Sequence, residues 1–306
     1  MMLAMQPQED ARACLQELQQ KPPMLPFEPD LLPMLFAATK NSSATPAKGL
    51  VTLIERSQKL TTRVLATANS AAYGQEFKVS TLHRAINILG LKTIRTLVVM
   101  VGMAAVIKGA NLPKSFDIKE LWKHELATAA IAKILAAELG GLDGVWGPSA
   151  DEKNRLLMDP DEAYIAGLLH DIGKVFFAAC RPELWETMTN TCKECCRQYF
   201  EVENNYWSMD HALIGAVVLY QWKLPLILTE PINWHHSPDM APTCKLEAQL
   251  LAAANIIARN PPDADGRLCE KAAAFLPENC DQTAIAAAIA QYFSTTETET
   301  FSTFDA

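Results

Sequence analysis

The sequence predicts an all-α protein, multi-helical throughout. Two observations carry this. Apolar residues recur three and four apart along nearly the whole chain, the spacing that lines one helix face. No run of alternating apolar and polar residues is long enough for a sheet. With 306 residues, 49% of them hydrophobic, the chain can bury a sizeable core as one large domain or two smaller ones.

The elements follow in order. Residues 10–20 read as a short helix, and the proline-rich stretch Pro22–Pro33 as an extended lead-in. Ala47–Ile54 and Leu60–Ala68 carry helical spacing. Leu82–Leu89 continues it and stops at Gly90, and a further helix runs over about Lys92–Ile107. Gly109 and Asn111-Leu112-Pro113 mark a boundary. A long helix, about Ile118–Leu139, ends at Gly140-Gly141. Residues 141–160, rich in Gly, Asp and Pro, read as an exposed loop. Glu162–Cys180 reads as one very apolar, buried helix. Further helices are expected at Pro182–Tyr199, Asp210–Gln221, Leu224–His235, Lys245–Ala258 and Asp281–Tyr292. The Ser/Thr/Glu-rich tail from Ser294 reads as frayed. The expected organisation is therefore an N-terminal segment (1–21), an N-terminal helical part (22–112), a second helical part (113–293) and a flexible tail (294–306).

Composition narrows the function classes. A net charge of -8 repels nucleic-acid phosphates, so no nucleic-acid partner is expected. The longest purely apolar run, Leu97–Ile107, falls short of the roughly 20 residues of a spanning helix, so no membrane span is expected. The N-terminus lacks a basic region followed by an apolar core, which argues against a secretory signal. Eight cysteines without such a signal read as reduced thiols in a cytoplasm. Cys192, Cys195 and Cys196 cluster, but no second pair at zinc spacing exists, so they read as residues along a helix.

The histidines carry the chemistry. Of six, five lie in the second helical part: His124, His170, His211, His235 and His236. His170-Asp171 interrupts an otherwise apolar run. A buried carboxylate there is costly unless it is paired or bound to a cation, and imidazole suits Zn, Fe, Mn or Ni. Glu120 lies four residues before His124, and Lys174 four after His170, each on a shared helix face. In a phosphohydrolase, Lys174 would neutralise a phosphate. The plainer alternatives are histidines hydrogen-bonded in a core, a helix-terminal His235-His236 pair, and Lys174 as an ordinary ion-pair partner of Asp171.

Several of these stretches together resemble a known family. His124 in Leu121–Ala129, His170-Asp171 in Gly167–Lys174, and a last position in Leu250–Arg259 resemble the HD superfamily, although that last position is Asn255 where the family has Asp. Leu60–Gly74 followed by Ala85–Leu91, then Asp210–Gly215, Trp222–Pro225 and His235-His236, resemble the HDOD domain over about residues 22–260. Arg56-Ser57 stands where the family often has Asp-Pro, and residues 141–160 look like an insertion.

The resemblance implies an HD-domain-like helical bundle with an N-terminal helical subdomain. It also implies a ligand set of Glu120, His124, His170, Asp171, His211, His235, His236 and Asn255 for one or two divalent transition metal ions (Fe, Mn, Zn or Ni). Asp171 and Lys174 would be catalytic if the protein is an enzyme. HDOD domains are similar in fold to HD-GYP phosphodiesterases, but Ser237–Pro242 replaces the Gly-Tyr-Pro signature after the histidine pair, which argues against cyclic-di-GMP hydrolysis. Three functions are thus expected. The leading one is a non-catalytic bacterial signalling scaffold whose partner proteins supply input or output. The others are a metal-dependent phosphohydrolase acting on a nucleotide or cyclic dinucleotide, and a metal-holding sensor such as an iron centre.

Overall fold

The structure, a computed structural model, describes residues 7–28, 30–40, 47–75, 77–140, 156 and 158–296. The described residues form helices and contain no strand. Most of the expected loop at 141–160, and the tail beyond Thr296, lie outside the described residues.

The chain divides into two compact units, one comprising Lys21–Ala110 with Leu219–Pro225 and the other Met1–Gln20, Asn111–Val218 and Leu226–Ala306. The larger unit includes α1 (Pro7–Gln20), which packs on the helix Tyr199–Trp207 of the same unit. Arg181 anchors α1: its Nε lies 2.6 Å from Asp10 Oδ1 and its Nη2 lies 3.0 Å from Glu17 Oε1. Trp207 Nε1 donates to the other Asp10 oxygen at 3.1 Å.

The smaller unit holds α2 (Leu31–Lys40), α3 (Ala47–Glu55), α4 (Gln58–Ala68) and α5 (Leu82–Gly109) around a core that includes Leu31, Leu35, Leu50, Ile54, Val64 and Ile94. The expected lead-in to Pro33 is shorter than predicted, because α2 starts at Leu31. Pro33 sits in its first turn, where a missing N–H costs little. Ser57 caps α4 by accepting from Leu60 N–H, and Thr81 caps α5 likewise through Arg84 N–H. Gly90, at φ 76, kinks α5 where the periodicity predicted a stop. The segment between α4 and α5 is tied down by Asn69. Its amide donates to Leu65 O and Val79 O at 2.7 and 2.8 Å, and its oxygen accepts from Val79 N–H at 2.7 Å. Gly74 closes the following turn at φ 52.

The larger unit continues with α6 (Ile118–Gly140), α7 (Pro160–Leu169), α8 (Ile172–Cys180), α9 (Pro182–Cys195), α10 (Tyr199–Trp207), α11 (His211–Gln221, whose last residues belong to the smaller unit), α12 (Leu226–Trp234), α13 (Lys245–Arg259), α14 (Glu270–Ala273) and α15 (Gln282–Thr296). Its centre is α6 against α7, with α13 across both and α12 beside α7. Asp159 and Glu162 form a capping box at the start of α7, with Pro160 as its first residue.

Three expectations are corrected here. Glu162–Cys180 is two helices, not one, because Asp171 leaves helical geometry at φ -102, ψ 6. Pro182–Tyr199 ends early, because Cys196 turns left-handed at φ 51 and a separate α10 follows. Ser294–Thr296, expected in the frayed tail, are helical as the end of α15. Two stretches, Leu82–Gly109 and Pro160–Cys180, are apolar and long enough to cross a membrane by length and composition; the most apolar window of the second is 83% buried in the protein.

Candidate metal centre

Two glycines set the geometry around His170-Asp171. A methyl group built on Gly167 would lie 2.6 Å from Ala129 Cα of α6, and one on Gly173 would lie 1.8 Å from His211 O of α11. Only a residue without Cβ lets these backbones pass. The break between α7 and α8 thus falls where α6 and α11 come nearest, and their histidines gather around Asp171.

The carboxylate of Asp171 is fully buried and lies at the centre of the group. Its Oδ1 lies 2.8 Å from His211 Nε2 and 3.9 Å from His235 Nε2. Its Oδ2 lies 3.4 Å from His170 Nε2, 3.6 Å from His124 Nε2, 2.5 Å from Lys174 Nζ and 3.5 Å from Arg259 Nη2. Two sets of donor atoms come within 4.8 Å of one another: Asp171 with His211, His235 and His236, and Asp171 with His124 and His170.

The imidazoles are held from behind. His170 Nδ1 lies 2.8 Å from Gly167 O, and His235 Nδ1 lies 2.7 Å from Ile232 O. With the proton on Nδ1 donated to those carbonyls, each ring turns a bare Nε2 inward, and both Nε2 atoms are buried without a hydrogen-bond partner. His211 Nδ1 lies 2.6 Å from Glu203 Oε2, and His236 stacks on Phe200 with ring centroids 4.1 Å apart. Orientation of a ligating imidazole through its second nitrogen is what a metal site requires.

The electrostatics differ from ring to ring. Burial pushes His124 down to about 2, with His170 adding to the effect, and holds His235 and His236 well below the usual range. Burial also opposes a charge on His211, but Glu203 and Asp171 together outweigh it and raise the ring to about 9. Asp171 stays well below the carboxylate range despite its burial, because His170, Lys174 and His211 stabilise its anion.

The donor set fits a transition ion on the His211 side. His211 Nε2 stands 3.0 Å from His236 Nε2 and 2.8 Å from Asp171 Oδ1. Ligands about 2.1 Å from a shared ion stand about 3.0 to 3.4 Å apart in octahedral or tetrahedral arrangements, close to these two spacings, whereas His235 Nε2, 3.9 Å from Asp171 Oδ1, stands wider.

Of the residues predicted from sequence, His124, His170, Asp171, Lys174, His211, His235, His236 and Asn255 are brought together. Glu120 is not: it is exposed in the first turn of α6, where its N–H is capped by Asp117. Asn255 Oδ1 lies 2.9 Å from His124 Nε2 and accepts from Arg259 Nε at 3.2 Å. Sequence reasoning missed three residues. Glu203 lies on the unpredicted α10. Glu125 follows His124, and both its carboxyl oxygens are buried without a partner; burial and the neighbouring Asp171 push it well above the usual range. Arg259 was legible, being four residues after Asn255 on the same face of α13. Beside the cluster, a cavity of about 1060 Å³ lies between α6, α13 and α15; His124 and Arg259 form part of its wall, with Glu120, Lys123, Ile257 and Phe293.

Comparison with known proteins agrees with this architecture. The family model of the HDOD domain matches residues 25–238. An uncharacterized protein of Treponema pallidum (strain Nichols) is 28% identical over 193 residues, 63% of this chain and 34% of that protein, so the chain spans about a third of that relative's length. A phosphohydrolase candidate from Shewanella amazonensis SB2B superposes with a TM-score of 0.67 at 25% identity, covering 91% of this chain and 94% of that one. An HDOD domain protein of unknown function from Geobacter sulfurreducens gives 0.64 at 20% identity, with 94% of each chain covered. A signal-transduction candidate from Marinobacter aquaeolei VT8 gives 0.70 at 17% identity, covering 94% of this chain and 63% of that one.

Proposed function

The chain belongs to the HDOD domain family, and on that premise we propose that it is a non-catalytic signal-transduction module that holds a transition metal in a degenerate HD site and works through partner proteins. The observation that carries this reading is Asn255. It stands where HD enzymes resemble one another in having Asp, and its neutral oxygen is engaged by His124 and Arg259. One anionic ligand is thereby lost, and a neutral amide is a weaker metal ligand than a carboxylate. The convergence of Asp171, His211, His235 and His236, backed by Glu203, supports retention of a metal. A transition ion held there supplies Lewis acidity and a fixed charge. The protein's own groups orient the imidazoles, exclude water from Asp171 and keep Lys174 against it.

A second reading is a metal-dependent phosphohydrolase acting on a nucleotide or cyclic dinucleotide. It is favoured by Lys174 at the carboxylate of Asp171 and by the cavity that opens at His124 and Arg259. Elemental analysis of the purified full chain, combined with phosphomonoesterase and phosphodiesterase assays on wild type and His170→Ala, separates the two. The leading reading expects bound metal and no turnover. Turnover that disappears in His170→Ala selects the second, and metal below about a tenth of an equivalent defeats both, since a site must be occupied to act.

A further inference from the structure

The two halves of the histidine cluster differ in charge, and this carries an inference that deepens, and rests on, the metal-holding reading above. In the His211 half, Asp171 supplies one negative charge, and Glu203, 2.6 Å from His211 Nδ1, supplies a second from behind. His211 and His236 turn Nε2 toward each other, and His235 Nε2 has no hydrogen-bond partner. Three imidazole nitrogens and a carboxylate oxygen thus lie within 4.8 Å of one another, on the side of the carboxylate oxygen that faces neither Lys174 nor Arg259.

The His124 half is built differently. Its carboxylate oxygen, Asp171 Oδ2, already faces Lys174 Nζ at 2.5 Å and Arg259 Nη2 at 3.5 Å. Arg259 Nη2 also lies 3.2 Å from His124 Nε2, and its Nε holds Asn255 Oδ1. Whichever tautomer His124 adopts, its Nε2 has a partner: Asn255 Oδ1 if protonated, Arg259 if bare. A dication placed between His124, His170 and Asp171 Oδ2 would meet two cations on the same carboxylate oxygen, with Asn255 adding no charge to offset them. Like charges at such separations repel strongly where water is scarce.

We propose that the cluster takes one divalent transition ion, at Asp171, His211, His235 and His236, and that the Arg259 guanidinium occupies the charge position of a second ion in the His124–His170 half. Arg259 is suited to this. It is always charged and forked, and it reaches from α13 across Asn255 to His124 and Asp171. The side chain is 36% exposed and lies on the wall of the adjoining cavity, so it can be replaced without opening a hole in the core.

The test loads the full chain with Mn(II), removes the excess by desalting, and reads stoichiometry by elemental analysis and the spin state by electron paramagnetic resonance. The expected result is one equivalent per chain with the six-line spectrum of an uncoupled ion. His211→Ala loses it, His124→Ala keeps it, and Asn255→Asp combined with Arg259→Met rises toward two equivalents with an exchange-coupled spectrum. Thermal melts confirm that each variant is folded. Two equivalents in wild type overturn the proposal, as does retention in His211→Ala with loss in His124→Ala, or a double variant still at one. No ion in wild type defeats the metal-holding reading itself, and the proposal with it.

Discussion

One carboxylate oxygen of Glu203 reaches two atoms of His211: Oε2 lies 2.6 Å from the ring Nδ1 and accepts the backbone N–H at 2.9 Å. The contact fixes where α11 starts and which nitrogen its first side chain turns inward. Four expectations follow from contacts of this kind.

Glu203→Gln preserves the volume and one acceptor but removes the charge behind His211. Metal affinity should fall roughly 10- to 100-fold, the usual effect of losing such a partner, while the fold is retained. Competition with a chromophoric chelator measures it. Unchanged affinity would mean the carboxylate serves only to start α11.

Gly173→Ala places a methyl group 1.8 Å from His211 O and 2.7 Å from Gly215 N. Backbone cannot move aside cheaply, so destabilisation of about 3 kcal/mol or more is expected, at the top of the overpacking range. Gly109→Ala is the control: nothing lies within 4 Å, and the change should fall within about 1 kcal/mol, on the stabilising side. Chemical denaturation of both variants decides it.

Asn69→Ala strips Val79 of partners for both its N–H and its carbonyl. A loss of roughly 2 kcal/mol is expected, within the range for leaving polar groups unsatisfied. It should appear as faster hydrogen exchange at Val79 and at the start of α5, with metal content unaltered.

Arg181→Met releases α1 from its ion pairs with Asp10 and Glu17. The effect should be about 1 kcal/mol at neutral pH, because the pairs are partly solvated, and α1 should become a site of limited proteolysis. The pH dependence has a definite sign. The Arg181 hydrogen bond lowers the pKa of Glu17 below its ordinary 4.5, so its contribution is present above that value and is lost as pH falls. Melting temperature between about pH 5 and pH 3 should therefore drop less steeply in the variant than in wild type. Parallel curves would contradict this.

Much of the architecture was legible in the sequence because helical period reports which residues face a core. The stop at Gly90 showed up as a kink, and α3, α4, α6 and α13 lie close to their expected spans. Period is silent about backbones that touch. Apolar spacing runs straight through His170-Asp171, so nothing in it revealed the turn between α7 and α8; the glycines at 167 and 173 were the available sign, and their meaning depends on Ala129 and His211, far away in sequence. The site was legible to the same degree. Histidines are few enough to stand out, whereas Glu203 and Glu125 look like ordinary helix-surface glutamates until burial is known. Glu120 misled for the converse reason: a shared face with His124 says nothing about depth along α6.

The crossing of α8 over α11 at Gly173 has a consequence for how such a protein can diverge. There the spacing between Asp171 and His211 is dictated by main chain resting on main chain, not by how neighbouring side chains happen to fill. Side chains on other helices, such as Asn255 on α13, can therefore be exchanged without the frame around the carboxylate collapsing. A chamber built this way keeps its shape whichever chemistry its other side chains bring to it.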